Sequence, residues 1–182
     1  MLTRSILILC AVPCLSARAA TLEQMSIEDL TRESTSIVRG SVGESRTAQV
    51  GPLIYTFTTL RIAENLKGEA VREIEIALPG GRIGDLSQRF GGVPQLEPAK
   101  EYLFFLWRGP SGLTQVTGLS QGLIEIKDAA GSDRFAVREP SPELLIAPGS
   151  GEAVKNGGLR MPLRELIARI RGLLSAGGQQ AP

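Results

Sequence analysis

Ile74, Ile76 and Leu78 fall on one face of an extended chain, and Glu73, Glu75 and Ala77 on the other. This period-two alternation predicts a half-buried strand. The same reading predicts further strands at 37–42, 54–62, 102–107, 114–117, 123–127 and 134–138. The 54–62 run is dense in β-branched and aromatic residues, which suit a pleated surface. Gly40 marks a bulge or bend inside the first strand. The 102–107 run is apolar on both faces, so it is expected at the centre of a sheet. Gly51-Pro52, Pro79-Gly80-Gly81, Gly109-Pro110-Ser111-Gly112 and Ala130-Gly131-Ser132-Asp133 read as turns,. An irregular glycine-rich stretch covers 80–94.

Two segments show helical spacing instead. Ser26 is a good N-cap, Asp29 completes a variant capping box, and Met25 and Leu30 are placed for a hydrophobic staple,. That short helix is expected to end near Glu33 and Ser34 and to plug the core. Near the C-terminus Leu163, Leu166, Ile167, Ile170 and Leu174 recur on one helical face, with Pro162 suited to the first turn,. The expected architecture is mainly β: a small, closed, OB-like β-barrel with a short N-terminal helix and a C-terminal amphipathic helix.

The first residues have a different character. Arg4, the apolar run 6–12 and Ala17-Arg18-Ala19 have the layout of a secretory signal peptide, with cleavage expected before Ala20,. The apolar run is too short to cross a bilayer. Leu9 and Pro13 stand where a lipobox before Cys10 or Cys14 needs a small residue. The expected organisation is a signal peptide at 1–19 and a β-barrel domain at 20–138. A flexible proline- and glycine-rich linker at 139–160, a helix at 161–175 and a disordered tail at 176–182 complete it. Export places the chain in the periplasm or outside the cell.

Composition narrows the chemistry. The chain has no histidine, and its two cysteines both lie in the leader. Histidine is the usual general base, and His and Cys are the usual ligands of zinc, haem and copper. No cofactor and no metal site are expected. Removing Arg4 and Arg18 leaves 18 basic and 19 acidic groups, a net charge of −1. That balance lacks the basic footprint of a nucleic-acid-binding protein. No later segment is apolar and long enough to span a membrane.

The segments 37–42, 55–57, 64–68 and 97–106 together resemble the netrin-like module shared with tissue inhibitors of metalloproteinases. They also resemble exported bacterial proteins of similar length. The resemblance covers residues 35–127 and implies an OB-type barrel. It does not imply metalloproteinase inhibition. In the inhibitors an N-terminal cysteine caps the target's zinc and disulfides pin the barrel, and this mature chain has no cysteine.

Several motifs carry candidate chemistry. Gly118-Leu119-Ser120-Gln121-Gly122 matches the G-x-S-x-G nucleophile elbow, but that serine needs a base and a strand-to-helix turn,. With strands expected on both sides, the motif reads as a glycine-flanked β connection. A serine–lysine pair using Lys67, Lys100, Lys127 or Lys155 is the remaining nucleophilic option. Glu73 and Glu75 are a carboxylate pair, read more simply as a solvated sheet face. Asp128 and Asp133 read as turn formers,. Strand packing accounts for most aromatics, with Trp107 and Phe90 set apart. The terminal helix carries Arg160, Arg164, Arg169 and Arg171, and Glu165 is placed for an i,i+4 pair with Arg169,. Docking on its own domain is the preferred role for that helix, and peripheral contact with an anionic membrane is the alternative.

The candidate binding loop is Gly80, Gly81, Arg82, Asp85, Arg89 and Phe90. Glycines admit a ligand close to the backbone, and an arginine can grip a carboxylate. The expected function is non-catalytic binding, with another exported or envelope protein as partner. A carboxylate or serine–lysine hydrolase and a protease-inhibitor-like module are the alternatives.

Overall fold

A computed structural model describes residues 21–129, 134–140 and 143–177. The leader, the 130–133 turn with Asp133, Pro142 and residues 178–182 lie outside the described residues. In chain order come β1 (Thr21–Glu23), α1 (Ile27–Glu33), β2 (Ser36–Val50), β3 (Leu53–Lys67) and β4 (Glu73–Pro79). Next are β5 (Gly81–Ile83), β6 (Leu86–Gln88), β7 (Glu101–Arg108), β8 (Thr114–Val116) and β9 (Leu123–Asp128). The chain finishes with β10 (Arg134–Arg138), β11 (Leu144–Ile146), β12 (Ala153–Val154), β13 (Leu159–Pro162) and α2 (Leu163–Gly177).

The protein is mainly β with two helices. Its large sheet runs β13-β10-β9-β7-β2-β3-β4, with β8 on the side of β7. No described sheet closes on itself. The antiparallel steps from β4 through β3, β2 and β7 to β8 make β4 and β8 parallel. These two strands lie side by side, but no ladder joins them.

Strand β7 explains why the core divides in two. Its alternate side chains go to opposite faces. Leu103 and Phe105 pack with Ile37, Leu30, Leu166 and Ile170 between the sheet and the two helices. Tyr102, Phe104 and Leu106 pack with Val38, Leu60 and Ile76 inside the curl of β2, β3, β4 and β7. The expected central strand is therefore buried on both sides.

Gly40 sits at one of the register shifts that bend β2. A Cβ there would overlap the Arg61 carbonyl oxygen across the strand pair, so only glycine fits. The expected bulge is present for that steric reason.

The α1 cap forms as read. Ser26 Oγ accepts the Asp29 N–H at 3.0 Å, and Asp29 Oδ2 accepts the Ser26 N–H at 3.1 Å,. Lys67 Nζ donates to the Thr31 and Arg32 carbonyls at the other end of the helix, at 2.7 and 3.1 Å. Helix α2 buries Leu163, Leu166 and Ile170 in the first core, so its apolar face is occupied by its own chain. The peripheral membrane role loses that face. Arg169 does not pair with Glu165 as expected. It reaches Glu28 on α1 at 2.7 Å, because docking sets the two helices side by side. No helix among the described residues is long and apolar enough to cross a membrane.

The 139–160 stretch, read from composition as a linker, is a correction. Its β11 pairs in parallel with β1, and its β12 pairs with β11. At its end β13 pairs with β10. Residues 176 and 177, expected in the tail, belong to α2.

Charged groups stitch the outer face. Glu101 accepts from both Arg39 and Arg134, and Glu64 accepts from Arg39 and Arg171. Burial pushes the Glu101 carboxyl up, but the two arginines outweigh it and hold the group below the ordinary carboxylate value,. A depressed native pKa stabilises the fold at neutral pH. That stabilisation is lost as pH falls from the ordinary value through the native one. Glu101→Gln is therefore expected to cost about 2 kcal/mol at neutral pH. It should also flatten the acid limb of the stability curve. Urea midpoints at neutral and acid pH test this, and parallel acid losses in both proteins would disprove it.

Candidate functional site

The expected irregular loop is built as a second hairpin. Strands β5 and β6 pair through Arg82↔Ser87 and lie against the far end of the β2–β3 hairpin. Side-chain bonds fix the docking. Thr47 Oγ1 donates to the Arg82 carbonyl at 2.9 Å, and Thr56 Oγ1 donates to the Gly80 carbonyl at 2.9 Å. Gln88 Oε1 accepts the Ile54 N–H at 2.7 Å, while its Nε2 donates to the Pro52 carbonyl at 3.1 Å.

Gly81 makes that approach possible. Its φ is 141°, and a Cβ would sit 2.9 Å from both Thr47 Cγ2 and Thr56 Oγ1. Any larger residue would push the hairpin off the threonines.

Between this hairpin, residues 89–96 and the inner face of β3 and β4 lies a cleft of about 570 Å³. Ser45 and Thr58 share a hydroxyl–hydroxyl bond of 2.8 Å at its floor, beside Thr56. Leu78, Val93 and Leu96 give an apolar wall. Arg82, Arg89 and Phe90 stand at the rim, with Phe90 42% exposed. Arg82 Nε donates to the Gly84 carbonyl at 3.0 Å. Neither Arg82 nor Arg89 makes an ion pair among the described residues. Of the six candidate residues, the cleft gathers Gly80, Gly81, Arg82, Arg89 and Phe90. Asp85 is left at the exposed tip of the hairpin.

A second cleft of about 510 Å³ escaped sequence reasoning. It opens along the unjoined β4–β8 boundary, where Ala77 and Pro79 face Trp107 and Gln115. These strands are distant in sequence, so no local pattern foretells their meeting. Trp107, set apart in the sequence by its place near a strand end, lines this cleft.

The other motifs resolve structurally. Residues Leu119–Gly122 form a 3₁₀ turn between β8 and β9, entered through left-handed Gly118 at φ 63°. Ser120 Oγ is sealed from solvent and has no hydrogen-bond partner among the described residues. Lys67 is held at α1, Lys100 pairs with Glu97 and Glu125, and Lys127 pairs with Glu125 and Glu139. Glu75 is solvated and bonds Arg46 at 2.9 Å, and Arg46 lies 4.4 Å over the Phe57 ring. Asp128 pairs with Arg134 at 3.2 Å. No group of three or more Asp or Glu residues that could hold a metal ion occurs among the described residues.

Fold and site together define a mainly β protein with a mixed polar and apolar cleft rimmed by arginine. No protein-family model and no curated protein matches the chain.

Proposed function

We propose that this is an exported, non-catalytic binding protein that grips a carboxylate-bearing segment of another exported protein in the Arg82–Arg89 cleft. The observation that carries this reading is the cleft itself. Two arginines without carboxylate partners among the described residues stand over a hydroxyl floor, and a tight set of bonds holds the hairpin that bears one of them. Guanidinium groups suit bidentate recognition of carboxylates. The leader at 1–19 supports export. A sealed Ser120 Oγ with no hydrogen-bond partner among the described residues supports binding over serine hydrolysis.

The fold beneath is read as OB-like. Strands β2, β3, β4, β8 and β7 stand in the order of a five-stranded ring, and its one unladdered step is the parallel β4–β8 contact. OB-type barrels are five-stranded and partly open, so the gap fits that reading.

The test uses the mature protein and fluorescent peptides of equal length that are acidic, neutral or basic. Acidic peptides should bind best, and Arg82→Gln with Arg89→Gln should weaken them about tenfold, as expected for losing a charge-assisted bond. Binding that ignores both the peptide charge and the double substitution would overturn the reading. So would turnover of the peptides.

A further inference from the structure

We propose that an extended, basic segment of a partner protein docks along the β4–β8 boundary, with Trp107 as its aromatic anchor. This face is separate from the Arg82–Arg89 cleft and does not depend on the function proposed above.

The boundary carries two clefts in line. The cleft of about 510 Å³ sets Ala77, Leu78 and Pro79 against Gln115 and Val116. A further cleft of about 520 Å³ sets Glu73, Ile74, Glu75 and Ala77 against Leu113 and Thr114. The lining advances along both strands in one direction, and Ala77 belongs to both clefts. Strand β4 has seven residues, so at about 3.3 Å each the groove is about 20 Å long,. That length suits about six residues of extended chain.

The β4 backbone leaves groups for such a chain. The Gly80 N–H donates to the Ile54 carbonyl at 2.7 Å, and the Ile62 N–H to the Arg72 carbonyl at 2.8 Å. Bonded positions alternate along an antiparallel pair. The register between these two bonds therefore turns the backbone groups of Ile74, Ile76 and Leu78 toward β3. Glu75 and Ala77 turn theirs toward the boundary, where no ladder among the described strands takes them.

Charge chooses the occupant. Glu23, Asp29 and Glu33 line one cleft, and Glu69, Glu73 and Glu75 line the other. The basic residues of the lining are Arg32 and Arg108. Arg32 is already paired with Asp29 and Glu33, and Glu75 with Arg46. Glu23, Glu69 and Glu73 make no ion pair among the described residues. Trp107 is the only tryptophan in the chain, is 36% exposed and lines the first cleft. Tryptophan is the best aromatic partner for a cation. Lysine and arginine side chains bring a charged head for the carboxylates and an aliphatic stem for Trp107, Pro79 and Leu113.

The test uses the mature protein and a six-residue peptide of alternating Lys and Ala. A neutral peptide and an acidic peptide of the same length, and the dipeptide Lys-Ala, serve as comparisons. None carries an aromatic group, so Trp107 emission reports occupancy of its cleft. The basic hexapeptide should give a saturable change in emission, and the neutral and acidic peptides no such change. Glu69→Gln with Glu73→Gln, both exposed, should raise its Kd about tenfold, as two exposed ion pairs are lost,. Lys-Ala should bind about tenfold more weakly than the hexapeptide, because it reaches one cleft alone. Arg82→Gln with Arg89→Gln should leave the titration unchanged, which separates failure here from failure of the carboxylate cleft. No saturable change, an equal response to all three hexapeptides, or a Kd untouched by the double glutamate substitution would overturn the proposal. So would Lys-Ala binding as tightly as the hexapeptide, which would mark a pocket for a single amine.

Discussion

Leu166→Ala is expected to cost about 2–5 kcal/mol of unfolding free energy, read as a lowered urea midpoint. Leu166 is fully buried on α2, in the core cluster that also holds Leu103 and Phe105, where α2 lies on α1, β10 and β13. Truncation leaves a cavity between two rigid elements, and a sheet cannot collapse freely onto a helix. The cost is therefore both the lost transfer energy and the unfilled space. Ala168, exposed on the same helix, supplies the contrast. Ala168→Lys should stay within about 0.5 kcal/mol. Equal, small effects at both positions would show that α2 is not docked. The helix would then be free for the membrane surface that its arginines first suggested.

Gly122→Ala should be nearly as damaging, at about 3 kcal/mol. A Cβ at Gly122 would overlap the Thr117 carbonyl oxygen and would stand 3.1 Å from Val116 Cγ1. The main obstacle is backbone, so no side-chain rotation relieves it. Gly172 in α2 has nothing within 4 Å of its notional Cβ. Gly172→Ala should instead stabilise the protein by about 0.5–1 kcal/mol through helix propensity. Thermal melts of both variants check the pair, and a harmless Gly122→Ala would remove the packing explanation. On that explanation, the glycines of the G-x-S-x-G run serve a tight turn that a hydrolase motif merely resembles. Gly118 adds to this, since a Cβ there would lie 2.7 Å from Met25 Sδ.

Much of the fold was legible because its signals are local. Ser26 and Asp29 are three residues apart and cap α1 by their own geometry. The 102–107 run announced a two-sided strand through side-chain type alone. The 139–160 stretch was misread because its strands have two to four residues and lie among prolines and glycines. Their partners, β1 and β10, supply the order that composition cannot show. The β5–β6 hairpin was hidden for a related reason: its stability comes from Thr47, Thr56 and Gln88 binding it to another hairpin. Of the site, the glycines and arginines were readable as chemistry. The Ser45–Thr58 floor and the β4–β8 opening were not: the first depends on the bulged register of the β2–β3 hairpin, the second on strands distant in sequence.

The parallel match of Thr21–Glu23 with Leu144–Ile146 imposes a schedule on assembly. A growing polypeptide emerges N-terminus first, yet Thr21–Glu23 has no strand to pair with until the later segment arrives. Contacts so remote along the chain close slowly. Until Leu144–Ile146 has been made, Thr21–Glu23 is without its ladder partner, and that match belongs to the later steps of folding.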